Sequence, residues 1–287
     1  MKIHIKTITT VEEMHKLSSR FRKEGKLIGL VPTMGYLHEG HLSLVEKSKS
    51  ICDVTVVSIF VNPTQFAPNE DLKSYPRDFE RDKKVLSQKG VDVIFYPSAE
   101  EIYPQDFQTN VEVSSITKIL EGESRPGHFK GVTTIVTILF NSVSPHYAFF
   151  GQKDAQQAAI IQQMVNDLKF DLKIVICPII REKDGLAMSS RNVYLSKQER
   201  EDALVLSKSL KLAEELIKQG KRSVMEIISK MKGLVEHAPS SYLDYIQIVE
   251  ANKFNLVDNL MEGKEYYILI ACKIGKTRLI DNLKIKI

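Results

Sequence analysis

Up to Ile180, short apolar runs alternate with longer stretches whose apolar positions recur at helical spacing. Lys2–Lys6 alternates apolar and charged residues, as a short strand does. Thr10 followed by Glu13 reads as a capping box, and the helix it opens ends near Gly25. Leu27–Val31 reads as a buried strand ended by Pro32, and Leu42, Leu44 and Val45 mark a helix to about Ile51. Asp53–Phe60 is β-branched and bulky, which predicts a second buried strand. A charged helix from about Asp78 to Lys89 stops at Gly90, and Val91–Tyr96 is a strand stopped by Pro97. In the less regular stretch that follows, Asn110–Val113 reads as a short strand and Glu121–Gly127 as a loop. Phe129–Val143 has the spacing of a buried helix despite its threonines. His146–Phe150 predicts a strand, 154 to about 169 a helix, and Leu172–Ile180 a strand. Such alternation predicts an α/β unit built on a parallel sheet.

After Ile180 the pattern changes. Arg181–Gly185 is a polar break, and Leu186–Asn192 follows it. Ser196 with Glu199 caps a long amphipathic helix to about Gln219, closed by Gly220, and a second helix spans about Ser223–Glu236. Strands are expected over Leu243–Val249, Tyr266–Ala271 and Arg278–Leu283. Helices followed by antiparallel-type strands predict a smaller α+β domain. The expected boundary places residues 1–183 in the first domain and 184–287 in the second.

Composition narrows the class without naming a function. Of 287 residues, 43% are hydrophobic and 26% charged, as in ordinary globular proteins. The net charge is only +4 and the basic residues are scattered, so no basic stripe argues for nucleic acid. No apolar run approaches a membrane span, and the N-terminus has no secretory h-region. The three cysteines, Cys52, Cys177 and Cys272, are far apart beside apolar runs and read as buried thiols of a reducing cytoplasm.

Candidate chemistry follows four of the predicted strands. Pro32–His41 is a glycine-bearing turn running into a helix N-terminus, where free N–H groups favour anions. His38 and His41 share one face of that helix if it begins by His38. Glycines kept for packing alone, or a metal-binding histidine pair, are the competing readings. Asn62 and Gln65 present neutral amides in a loop stiffened by Pro63, suited to hydroxyl and carboxylate oxygens; a plain capped turn is the alternative. Lys153 stands at a strand-to-helix turn where it can neutralise developing phosphate charge, and Asp154 beside it suits an N-cap. Ser189, Ser190 and Arg191 form a short loop fit for a triphosphate. In an open parallel sheet, loops at the strands' carboxyl ends face one crevice.

The pattern His38-x-Gly40-His41 after a first strand resembles the signature of the nucleotidylyltransferase and class I aminoacyl-tRNA synthetase superfamily. The longer run Pro32–His41 resembles one family within it, the pantoate–β-alanine ligases. So do Phe60-Val61-Asn62-Pro63-x-Gln65-Phe66, Arg125-Pro126-Gly127-His128-Phe129-x-Gly131, Gly151–Gln157 and Arg181–Asn192, although Gln152 stands where the family usually has Glu. The resemblance implies a Rossmann-like parallel-sheet domain with a smaller α+β C-terminal lid domain. It implies ATP-dependent joining of (R)-pantoate to β-alanine through pantoyl adenylate, with AMP and pyrophosphate released.

The same resemblance implies site roles. His38, His41 and Lys153 would be catalytic. ATP would lie against Met34, Gly35, His38, Gly40, His41, Gly151, Lys153, Asp154, Ile180, Met188, Ser189, Ser190 and Arg191. Gln65, Gln157, Asn62 and Arg125 would serve pantoate and β-alanine, and Asp82 is a candidate Mg²⁺ contact. Mg²⁺ would be held mainly by ATP phosphates and water. The family is typically homodimeric and cytoplasmic, with no nucleic-acid or membrane partner. A nucleotidylyltransferase acting on a phosphorylated cofactor precursor, and a non-catalytic nucleotide- or RNA-binding module, are the other readings.

Overall fold

The structure, a computed structural model, describes residues 5–68 and 70–287. Part of the predicted Lys2–Lys6 strand therefore lies outside the described residues. The chain forms two compact units. One holds the residues up to Gly151 together with Ile160–Pro178; the other holds Gln152–Ala159 and Ile179–Ile287. That division differs from a single cut at 183/184, because the second unit takes residues from both sides of it.

The first unit is a six-stranded, all-parallel sheet in the order β1-β4-β3-β2-β5-β6. The strands are β1 Lys6–Ile8, β2 Ile28–Thr33, β3 Val54–Ile59, β4 Val93–Phe95, β5 Tyr147–Gly151 and β6 Lys173–Cys177. Its helices are α1 Val11–Lys23, α2 Glu39–Lys49, α3 Phe79–Gln88, the short turns α4 Ala99–Ile102 and α5 Glu121–Ser124, α6 His128–Val143, and most of α7 Ala155–Asp167. Successive strand residues point to opposite faces. Leu30, Val56 and Phe150 accordingly join α1 and α6 in one core, while Val31, Val57 and Phe149 join α2 and α3 in the other. A sheet covered on both faces explains why its strands read as continuous apolar runs.

Three local expectations change. β2 continues through Pro32 to Thr33 instead of stopping at the proline. The Thr33 carbonyl accepts from Phe60 N–H on the β3 side, so residue 32 faces the β5 side. Pairing with β5 has already lapsed after Leu30, and the missing proline N–H removes no ladder bond. Asn110–Val113 is not a strand. Thr134 Oγ1 accepts from the Val111 amide at 3.0 Å, and Thr133 Oγ1 donates to its carbonyl at 2.6 Å, so threonines of α6 do the work of a neighbouring strand. Glu121–Ser124, expected as loop, closes one helical turn.

The second unit packs α8 Lys197–Lys218 and α9 Val224–Val235 on an antiparallel sheet in the order β7-β8-β9. Its strands are β7 Ser241–Glu250, β8 Glu265–Ile274 and β9 Thr277–Lys286. Leu206, Leu210, Ile227, Met231, Ile268 and Ile270 are buried together in its core. The capping box expected at Ser196 and Glu199 is formed, with Glu199 N–H donating to Ser196 Oγ and Ser196 N–H to Glu199 Oε2.

Candidate functional site

β2 is the strand at which the sheet order reverses, with β3 on one side and β5 on the other. Ligands of open α/β sheets bind beyond the carboxyl ends of strands at such a point. The turn leaving β2 is bent by two left-handed residues, Gly35 (φ 82°) and Tyr36 (φ 48°). It is then gripped from α3. Asp82, 1% exposed, accepts Tyr36 N–H at 2.6 Å and Leu37 N–H at 2.8 Å. Arg81 donates to the Leu37 carbonyl at 2.8 Å and lies over the Tyr36 ring at 4.9 Å. Burial pushes the Asp82 carboxyl up, and the two turn amides pull it back only in part. Asp82 is therefore an internal clamp on the turn, each of its oxygens accepting one turn amide.

The clamp delivers the two histidines. His38 is the N-cap of α2 with extended backbone (φ −135°), so it stands just before the helix, not on it. Its ring still lies 4.0 Å, centroid to centroid, from that of His41. His38 N–H donates to His41 Nδ1 at 3.3 Å. That acceptor role keeps the proton of a neutral His41 ring on Nε2, the nitrogen a proton donor would use.

The loop after β3 is seated on α6. Gln65 Nε2 donates to Met34 Sδ at 3.0 Å, which joins this loop to the turn after β2. Asn62, 1% exposed, donates from Nδ2 to Gln65 Oε1 (3.2 Å) and to the Gly131 carbonyl (3.1 Å). Its Oδ1 accepts from Tyr103 Oη and Thr64 Oγ1. Asn62 thus holds Gln65, with both amide donors and its Oδ1 engaged within the protein. Gly131 is required by contact: a Cβ there would lie 2.5 Å from the Thr64 carbonyl oxygen.

Arg125 is likewise committed. Its guanidinium forks onto Glu70 at 2.6 and 2.8 Å, and its third nitrogen lies 3.1 Å from His128 Nε2. Because arginine only donates, His128 Nε2 must accept. The ring proton then sits on Nδ1 and is donated to the Gln65 carbonyl at 2.9 Å. Burial, with Arg125 adding to it, pushes His128 down to about 4, so the ring is neutral near pH 7. Glu70 is raised by burial but more than offset by Arg125, and ends below the usual carboxylate range. Arg125 thus braces the Gln65 loop through His128.

In the second unit, Lys153 follows β5 in a 3-10 turn, with Asp154 Oδ1 at 3.6 Å. Gln157 lies in the first turn of α7. Residues 180–188 form a tied hairpin, not a loose linker. Met188 N–H donates to Ile180 O, Glu182 N–H to Leu186 O, and Gly185 (φ 96°) turns the chain. The Ile180 carbonyl thereby closes the hairpin. Ser189 caps the 3-10 turn Ser190–Tyr194, accepting Arg191 N–H at 3.2 Å. Asn192 bonds Glu182 and the Ala187 carbonyl. Lys153, Ser189, Asn192 and Asp281 line one cavity of about 10 Å³. The structure therefore gathers Met34, His38, His41 and Gln65 in the first unit, and Lys153 with Ser189 in the second.

Several residues were missed from sequence: Arg81, Glu70, Tyr103, Asp281 and Asn282. Only the last two leave a signal, an adjacent polar pair between the apolar residues Ile280 and Leu283 of a strand. Among the described residues no group of three or more His, Cys, Asp or Glu is placed to hold a metal ion. No helix among the described residues is long and apolar enough to cross a membrane.

The family described as pantoate-beta-alanine ligase matches residues 6–284. A pantothenate synthetase of Caldicellulosiruptor bescii is 54% identical over 97% of this chain and 98% of its own. One from Acetivibrio thermocellus is 52% identical over 99% and 100%. The crystal structure of pantothenate synthetase from Thermus thermophilus superposes with a TM-score of 0.92 at 42% identity, covering 99% of this chain and 100% of that one. A pantoate-beta-alanine ligase from Francisella tularensis, complexed with beta-gamma ATP and beta-alanine, gives 0.77 at 36% identity, covering 98% and 97%.

Proposed function

The chain belongs to the pantoate–β-alanine ligase family, and from that premise we propose how its residues carry out the ATP-dependent condensation of pantoate with β-alanine. The carboxylate of (R)-pantoate attacks the α-phosphorus of ATP, and pyrophosphate leaves. The amine of β-alanine then attacks the acyl carbon of pantoyl adenylate, forming the amide and expelling AMP. The first step needs orientation and charge stabilisation more than a protein nucleophile.

His38 and His41 at the start of α2, with Lys153 and Arg191, neutralise the charge that moves toward pyrophosphate. Gly35, Gly40 and Gly151 let backbone approach the nucleotide. Gln65 and Gln157 hold pantoate through neutral amides, which recognise its hydroxyl and carboxylate without adding charge. The observation that carries this reading is the Gln65 amide, held by Asn62 and His128 beside Met34, in the segment that leads from β2 to His38 and His41. ATP is used as its Mg²⁺ complex, the ion held mainly by the phosphates and water. The enzyme works as a homodimer in the cytoplasm.

Labelled pyrophosphate should exchange into ATP when pantoate is present and β-alanine absent. Exchange supported equally well by phosphopantetheine or nicotinamide mononucleotide would replace this reading with that of a nucleotidylyltransferase.

A further inference from the structure

The middle of β9 carries two adjacent buried polar residues, Asp281 (3% exposed) and Asn282 (1% exposed). Burying them costs free energy unless each polar atom is paired. The pairing is complete, and it runs to the two segments that carry phosphate candidates. Asn282 Nδ2 donates to the Gln152 carbonyl at 2.8 Å and to the Lys153 carbonyl at 2.9 Å. Two carbonyl acceptors fix which end of the amide is nitrogen, and Oδ1 in turn accepts from Gln152 Nε2 at 3.2 Å. Asp281 takes the fork of Arg181 at 2.6 and 2.9 Å and also accepts the Asn282 amide at 2.7 Å. Arg181 passes the constraint on, donating to the Gly185 carbonyl at 3.1 Å inside the hairpin that leads to Ser189. Lys153, Ser189 and Asp281 face the same small cavity.

We propose that Asp281–Asn282 is a positioning pair: Asn282 fixes the turn bearing Lys153, Asp281 fixes the hairpin bearing Ser189, and together they set the spacing between the two. The proposal rests on Lys153 serving the phosphates. Neither residue touches the reacting atoms. Their effect is therefore confined to the step in which pyrophosphate departs. A merely structural role would slow both half-reactions alike.

The test uses the full chain. Asn282→Asp keeps the side chain's size and removes both donors to the Gln152 and Lys153 carbonyls. Pantoate-dependent pyrophosphate exchange should fall by about 10²-fold, the scale for displacing a catalytic group by about 1 Å. Conversion of supplied pantoyl adenylate and β-alanine to pantothenate should be unchanged, as should the KM for pantoate. In a Lys153→Ala background the same substitution should cost less than about 3-fold, because groups acting as a unit are not additive. Gln152→Ala, at a partly exposed position, removes only the bond that orients Asn282, and should slow the same half-reaction more mildly. It carries the test should Asn282→Asp not fold. Equal slowing of both half-reactions, additivity with Lys153→Ala, or full exchange activity in the variant that folds would overturn the positioning role while leaving that of Lys153 intact. Full exchange activity in Lys153→Ala alone would overturn the phosphate role and the pairing that rests on it.

Discussion

At His128 the surroundings leave one protonation pattern. Arg125 makes Nε2 an acceptor, and the Gln65 carbonyl takes the Nδ1 proton. Its value of about 4 in the folded chain lies below the ordinary 6.5, so the folded state binds fewer protons than the unfolded one. The resulting stability is present above pH 6.5 and is lost as pH falls through the window down to about 4. Unfolding free energy in urea should therefore drop between pH 7 and pH 4 by on the order of 3 kcal/mol more for the natural chain than for His128→Asn. Equal slopes would remove the neutral ring from the account. For the chemistry, Lys153→Ala and His41→Ala should each lower single-turnover adenylate formation by about 10²-fold or more, the usual cost of losing one electrostatic stabiliser. Gln65→Ala should instead raise the KM for pantoate with ATP binding nearly unchanged. Direct ATP titration separates the two outcomes. Residue identity pointed to His41, Lys153 and Gln65, because each side chain suits a substrate by its own chemistry. Asn62, Arg125 and Asp82 suit substrates equally well on paper, and the fold pairs each with neighbouring side chains or backbone.

Among the elements, α6 and α3 decide whether the two loops of the first unit are preorganised. The first turns of α6 meet the 62–65 loop through Gly131, whose missing Cβ is what allows a carbonyl to approach. Gly131→Ala would ordinarily favour a helix by roughly 0.5–1 kcal/mol. Here the added carbon meets backbone and must push the loop. A raised KM for pantoate, by about 10-fold or more, is expected from such a displacement. Urea unfolding should show a loss of about 1–3 kcal/mol, as for other overpacked sites. A more stable Gly131→Ala enzyme with unchanged KM would show that the seat has slack. Element type was largely legible from periodicity: the helices over 128–143, 197–218 and 224–235, and the strands over 54–59 and 147–151, lie within a few residues of expectation. Pro32 and Asn110–Val113 misled because their outcome depends on neighbours. A proline is tolerated where a partner strand has already ended, and a β-like segment pairs with threonine side chains when no strand lies beside it.

Across the whole molecule, the second unit reaches back into the chain for Arg181 and for the 152–159 segment. A fragment of residues 184–287 would keep Asp281 but lose its Arg181 fork. Stranding a buried charge in this way costs about 3–5 kcal/mol. In urea, a 179–287 fragment should therefore be the more stable of the two. Equal stability would mean that the Arg181–Asp281 pair contributes nothing. By itself the sequence determined the alternation of strands and helices, the change of architecture after Ile180, the family, and the residues whose chemistry suits phosphate and pantoate. These follow from local spacing and side-chain type, which need no knowledge of distant neighbours. Only the tertiary structure decided which polar groups pair with one another across the chain. Asn62, Asp82, Arg125 and Asn282 are each bound to a partner 41 to 130 positions distant. Hydrogen-bond capacity is finite, and its allocation depends on which segments folding brings within about 3 Å of one another.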